Sequence, residues 1–141
     1  MIKSSIENWA DKQSDVYWEL MNTSRQTKMF LEHRSKARSR ELLNLPRNLL
    51  RTVTGIITGH NTLSRQINIM GLNNDPLCEH CKGELETSLH FISQCSYHVR
   101  TRMSVWGKPV LDPDDMKRIR VKDLARLILK SRRFLVNEIS N

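Results

Sequence analysis

Apolar residues recur at helical spacing along most of the chain. Ile6, Trp9, Val16, Tyr17 and Leu20 share one stripe, and Ser4-Ser5-Ile6-Glu7 has the form of a capping box. Residues 5–21 are therefore predicted to form an amphipathic helix, with Trp9 and Trp18 packed inward. Residues 22–38 are polar and basic without a clear period, so they read as a linker that orders on binding, with a short helical turn at Lys28–Glu32. Pro46 suits the first turn of the next helix, whose stripe of Leu49, Leu50, Val53, Ile56 and Ile57 ends near Gly59. The β-branched run Val53–Thr58 also reads as a strand, but no second strand of similar quality exists to pair with it, and helix is favoured.

Asn61 is placed to cap a helix through Leu63, Ile67 and Met70, which Gly71 ends. Asp75-Pro76 opens a loop in which Gly83 is expected to supply the sharp bend. Thr87 caps a short helix over residues 87–94, and residues 96–106 continue as a helix with Val99, Met103 and Trp106 on one side, until Gly107 and Pro109 break it. A short helix starts at Asp112-Pro113. Val121, Leu124, Leu127, Ile128 and Leu135 define the last helix, with Lys122, Arg126, Lys130 and Arg133 on its opposite face. A basic amphipathic helix docks on nucleic acid, packs against a partner or lies on an anionic membrane surface, and the sequence leaves these three open.

The chemistry is concentrated in Cys78, Cys81, His90 and Cys95, a C-x2-C-x8-H-x4-C array that uses every one of the 3 cysteines. Zinc takes a tetrahedron of thiolates and imidazole, and the gap between Cys78 and Cys81 lets one tight turn deliver two ligands. The helix capped by Thr87 would present His90 from its first turn and Cys95 just past its end. The competing readings are ordinary buried thiols or a Cys-x-x-Cys redox pair. An odd cysteine count argues against a disulfide scaffold and for a reducing compartment, nuclear or cytoplasmic. Three thiolates and an imidazole fill all four positions, so the site is structural and leaves no place for an activated water. His60 is open to three roles: capping the preceding helix, supporting the metal ligands by a hydrogen bond, or replacing His90. His80 is expected to face solvent, and His98 is a weaker alternate ligand.

A chain of 141 residues holds one small core, and 38% hydrophobic residues leaves the metal a part in folding. The expected fold is mainly α, a small helical domain around one structural zinc with little or no β-sheet. It divides into an N-terminal helix and basic linker over 1–45, a zinc-binding core over 46–107 and a basic helical segment over 108–141. No apolar run approaches the roughly 18 residues that a membrane span needs.

Net charge is +8, which favours a polyanionic partner. Residues 25–51 carry 8 basic groups against 2 acidic and residues 96–141 carry 11 against 5, whereas 52–95 come out at −2. Each basic block is either a solvated helix face or a phosphate-contact surface. The candidate nucleic-acid contacts are Arg34, Lys36, Arg38 and Arg40 in the first block and Lys117, Arg118, Arg120, Arg126 and Lys130 in the second.

The run Leu49-Leu50-Arg51, Ile57-Thr58-Gly59-His60-Asn61-Thr62-Leu63, Met70-Gly71-Leu72, Pro76-Leu77-Cys78-Glu79-His80-Cys81, Glu86-Thr87-Ser88-Leu89-His90-Phe91-Ile92, Cys95 and Arg102 resembles the C-terminal tail of jockey-like non-LTR retrotransposon polyproteins. The likeness covers about residues 6–106. In that family the tail follows the reverse transcriptase and ribonuclease H regions and carries a Cys-Cys-His-Cys zinc motif. The resemblance implies a piece that lies after the catalytic domains. The chain has neither a polymerase palm nor a cluster of four carboxylates for two metals, and Asp112, Asp114 and Asp115 read as a helix start, so no enzymatic activity is expected.

Two function classes follow. One is a zinc-stabilised module that binds RNA or DNA through its phosphates, with Phe91, the one aromatic close to the array, buried and unavailable to bases. The other is a zinc-stabilised helical scaffold for a protein partner. Under the first, neutralising Lys117, Arg118, Arg120 and Arg126 is expected to abolish binding and leave the fold intact.

Overall fold

A computed structural model describes residues 2–134, and within them the chain is helical. The elements are α1 (Ile2–Leu20), α2 (Arg25–Phe30), α3 (Lys36–Leu43), α4 (Arg47–Thr58), α5 (Ser64–Ile69), a π turn (His90–Gln94), a 3-10 turn (Ser96–His98), α6 (Val99–Trp106), α7 (Pro113–Arg118) and α8 (Val121–Ser131). The pairing of Leu77 with Leu85 is an isolated antiparallel bridge, and no strand is present among the described residues. Leu135, assigned above to the last apolar stripe, lies outside the described residues.

α4 and α8 supply the centre of the core. Val53 and Ile56 of α4 are buried with Leu124, Leu127 and Ile128 of α8, so both stripes face inward as their spacing requires. α4 runs from Pro46 to a left-handed Gly59 with φ +83°, a conformation that glycine adopts without a Cβ penalty. Gly55 has a different reason to be glycine: an added Cβ would sit 2.7 Å from the His60 carbonyl oxygen, where the following loop crosses the helix. α7 starts with the expected cap, a reciprocal pair in which Asp112 Oδ1 accepts from Asp115 N and Asp115 Oδ2 accepts from Asp112 N. Asn61 lies two residues ahead of the cap position: its Oδ1 accepts from Leu63 N in the turn that leads into α5.

The N-terminal third departs from the expectation twice. Residues 22–38 are not a linker, because α2 and the start of α3 lie there and Phe30 is 2% exposed, packed in the same core as Val53 and Met116. Burial of Phe30, flanked by Met29 and Leu31 at the core edge, holds a helix too short to be stable by itself. α1 forms, but it begins at Ile2, ahead of the serine box, and none of its residues is buried. Trp9, expected inside, is exposed. Trp18 is half-buried beside α2, where its Nε1 donates to the Glu32 carbonyl and the Lys28 ammonium lies 5.4 Å over its ring.

α6 departs from the expectation in part, since Trp106 packs against the core edge as expected. Met103 is exposed, and the residue that α6 buries completely is Arg102. Beyond α8, Arg132 takes φ +55° and the chain reverses, so Arg133 points inward and not onto the exposed basic face. Its guanidinium meets Glu86 side-on in two bonds, Nε to Oε1 at 2.8 Å and Nη2 to Oε2 at 2.9 Å. Glu86 Oε2 also accepts from Ser64 N at 2.7 Å, at the start of α5. The end of α8 is thereby tied to the loop preceding the π turn and to α5.

Glu86 is 1% exposed, so removing its charge would leave Arg133 buried beside a weaker partner. Glu86→Gln is expected to destabilise the fold by about 3 kcal/mol, within the range for breaking a buried pair, measured by denaturant unfolding. Burial by itself would raise the Glu86 carboxyl, but the bonds from Arg133 and Ser64 hold it below its ordinary 4.5. The stabilisation is therefore present above pH 4.5 and lost as pH falls through the lower folded value. An acid unfolding profile equal for wild type and Glu86→Gln would refute this role.

Candidate metal centre

The site is assembled from a hairpin-like turn and the π turn. In the turn, Asp75 Oδ1 accepts from Leu77 N, Cys78 N donates to Glu84 O at 2.8 Å, and Glu86 N donates to Pro76 O at 3.0 Å. Lys82 N donates back to Cys78 O at 3.0 Å, which closes the loop around both cysteines. The left-handed residue of this bend is Lys82, with φ +57°, and not Gly83. Thr87 caps as expected, accepting from His90 N through Oγ1 at 3.1 Å. The last turn then widens to a π turn, in which Cys95 N donates to His90 O at 2.8 Å. That extra residue per turn aligns His90 with Cys95 across a four-residue gap.

The four side chains converge as the spacing requires. The ligand atoms of Cys78, Cys81, His90 and Cys95 lie within 4.8 Å of one another. Cys78 Sγ and Cys95 Sγ are 3.8 Å apart, and Cys81 Sγ is 3.3 Å from His90 Nε2. Sulfurs about 2.3 Å from one tetrahedral ion stand about 3.8 Å from each other, whereas a disulfide needs about 2.05 Å. The cysteines are free, and Cys78 and Cys95 are buried. The donor set fits zinc.

Neighbouring groups orient the donors. His90 Nε2 faces the Cys81 sulfur, and its buried Nδ1 makes no hydrogen bond but lies 3.4 Å from the Glu84 carboxylate. A carboxylate on the far nitrogen favours the tautomer whose Nε2 lone pair is free for a metal. Backbone N–H groups of Gly83 and Glu84 lower the Cys81 thiol, and burial pushes the Cys95 thiol up to about 12. A bound dication would offset that burial cost by stabilising the thiolates. Arg102 reaches the same loop from α6, donating through Nη2 to the Cys95 carbonyl and through Nε to the Pro109 carbonyl at 2.5 Å. Were zinc bound, the trithiolate centre would carry a formal charge of −1 and offset the cost of this fully buried arginine.

The remaining histidines fall outside the cluster. His60 is exposed, and its backbone N–H reaches Thr58 Oγ1. His98 is buried edge-on against Phe91 with centroids 5.0 Å apart, and burial pushes it down to about 4, so it stays neutral. His80 is not turned to solvent: its ring stacks on Tyr97 at 4.2 Å. Phe91 is buried as expected, but it is not the one nearby aromatic, because Tyr97 stands exposed two residues past Cys95.

The basic residues singled out above have unequal surroundings. Arg34 pairs with Asp15 at 3.5 Å and Lys36 with Asp11 at 2.8 Å. Arg38 is partly buried and donates to the Phe30 carbonyl and to the Lys117 carbonyl at 2.6 Å. Lys117 lies 3.7 Å from Glu32, and Arg40 and Arg118 are exposed. Arg120 and Arg126 flank Asp123 at 2.9 and 3.6 Å, and Lys130 donates to Ser104 Oγ at 2.5 Å. Asp123 is buried, so Arg120 and Arg126 also serve the fold. Arg102, Arg133 and Glu84 are the supporting residues that sequence reasoning missed. Arg102 stood within the run of residues that carries the family resemblance, which was the available signal.

No helix among the described residues is long and apolar enough to cross a membrane. No protein-family model, curated protein or solved structure matches this chain.

Cys78→Ser and Cys95→Ser are each expected to lose one zinc equivalent and the cooperative thermal transition, and melting equal to wild type would refute a structural metal. Glu84→Gln should leave the fold intact and weaken zinc binding about tenfold or more, measured against a chromophoric chelator.

Proposed function

We propose that this chain is a non-catalytic, zinc-stabilised nucleic-acid-binding module, of the kind carried in the tail of jockey-like non-LTR retrotransposon polyproteins. The observation that carries the reading is the bond from Arg38 Nη2 to the Lys117 carbonyl. It joins two basic stretches 79 residues apart in sequence, so α3, with exposed Lys36 and Arg40, neighbours α7, with exposed Lys117 and Arg118. The net charge of +8 points the same way.

Recognition in this reading is of phosphate. Lys36 and Lys117 are held at the surface by carboxylates, and exposed pairs of this type contribute little, so a phosphate replaces the carboxylate at small cost. Arg38 has a different part: its bonds to two carbonyls fix α3 against α2 and α7, which sets the spacing of the cations around it. Zinc, when bound, supplies a fixed tetrahedral crosslink between the hairpin-like turn and the π turn, with no coordination position left for substrate. The order of the Thr58-Gly59-His60 segment, the cysteine pair, His90 and Cys95 supports the retroelement relation. The second reading, a protein-interaction scaffold, is favoured by the exposed apolar stripe of α1.

The zinc-loaded chain is expected to bind both a labelled RNA and a DNA duplex, losing about 100-fold in affinity between 50 and 200 mM salt if four phosphates are contacted. Because Arg120 and Arg126 support the buried Asp123, the informative variant changes Arg40, Lys117, Arg118 and Lys130 to Gln. It should lose at least tenfold in affinity at an unchanged melting temperature. Zinc-loaded protein that binds neither polymer at low salt would transfer the weight to the scaffold reading.

A further inference from the structure

α1 is amphipathic with its faces reversed relative to the fold. Asp11, Asp15, Trp18 and Glu19 meet the rest of the chain, through Lys36, Arg34, the Glu32 carbonyl and His33. The opposite side carries Ile2, Ile6, Trp9, Val16 and Leu20, each between 51% and 79% exposed. These positions, with Gln13 between them, follow a strict alternation of four and three residues, which is the seam of a two-stranded coiled coil.

We propose that α1 pairs with α1 of a second copy of this chain, seam against seam and in parallel register. Gln13 is the feature that selects the partner. Against a wholly apolar groove its amide would be stranded, whereas in parallel register it lies beside the same residue of the second copy, the arrangement in which a polar seam residue fixes register. The flanks agree: parallel pairing sets Lys12 beside Tyr17 of the other copy, and antiparallel pairing would set Lys12 against its own twin.

Charge argues against the other occupants. α1 holds Lys3 and Lys12 against Glu7, Asp11, Asp15 and Glu19, so it is repelled by an anionic bilayer and by nucleic acid. The area is consistent with a weak dimer. Five apolar side chains cover on the order of 500 Å² per copy, about 1,000 Å² in all, which is where specific interfaces begin. This association is independent of the phosphate reading, because it uses the face turned away from the basic helices.

Sedimentation equilibrium of the zinc-loaded full chain, from about 10 to 500 µM, tests it, since weak interfaces of this size associate in that range. The mass average is expected to rise from 16.5 kDa towards twice that value. Ile6→Glu and Val16→Glu should each hold the chain at 16.5 kDa with no change in melting temperature, because no α1 residue is buried in the fold. Gln13→Leu should tighten the dimer about tenfold by removing the polar layer. A mass of 16.5 kDa at every concentration, or dimers that persist in both glutamate variants, would overturn the proposal. So would binding of monomer to anionic vesicles through α1 with no self-association.

Discussion

Three thiols and one imidazole drawn into a sphere less than 5 Å across set the constraint that the rest of the structure answers. As neutral groups, two of the thiols are merely buried. As ligands they become charge that has to be compensated from every side. The N–H groups of Gly83 and Glu84 and the Arg102 guanidinium under Cys95 answer part of that requirement, and a bound dication would supply the rest, while the Glu84 carboxylate lies beside the His90 ring. The π turn belongs to the same logic, because it brings His90 and Cys95 to one point without an intervening loop.

From that centre the fold is held outward by charge as much as by packing. Glu86, five residues past Cys81, is clamped by Arg133, so α8 is fixed to the cysteine loop through a pair almost free of solvent. α8 in turn carries Leu124 and Leu127 into the core shared with α4 and Phe30. The core draws on all three stretches into which the sequence had been divided. The basic residues are graded by this arrangement: Arg38, Arg102 and Arg133 are parts of the interior or its border, while Arg40 and Arg118 stand at the surface.

What was legible in the sequence is what depends on short-range spacing. The four ligands, the Thr87 cap, the Asp112 capping box and the stripes of α4 and α8 are all set within a few residues. What escaped was long-range. Arg133 meets Glu86 across 47 residues, and nothing local distinguishes it from Arg132 or Lys130 until the chain reverses at φ +55°. α2 escaped because six residues show no period, although the apolar triplet Met29-Phe30-Leu31 inside a basic stretch was a usable signal. The stripe of α1 was read correctly as a stripe and wrongly as core, because ion pairs on the other face decide which side meets the protein.

The most direct test of the metal centre is X-ray absorption fine structure at the zinc edge of the purified, metal-loaded chain. One zinc with three sulfurs at about 2.3 Å and one nitrogen at about 2.0 Å is the predicted first shell. A shell with two sulfurs and two lighter atoms, or a chain that folds cooperatively and takes up no zinc, would contradict the account.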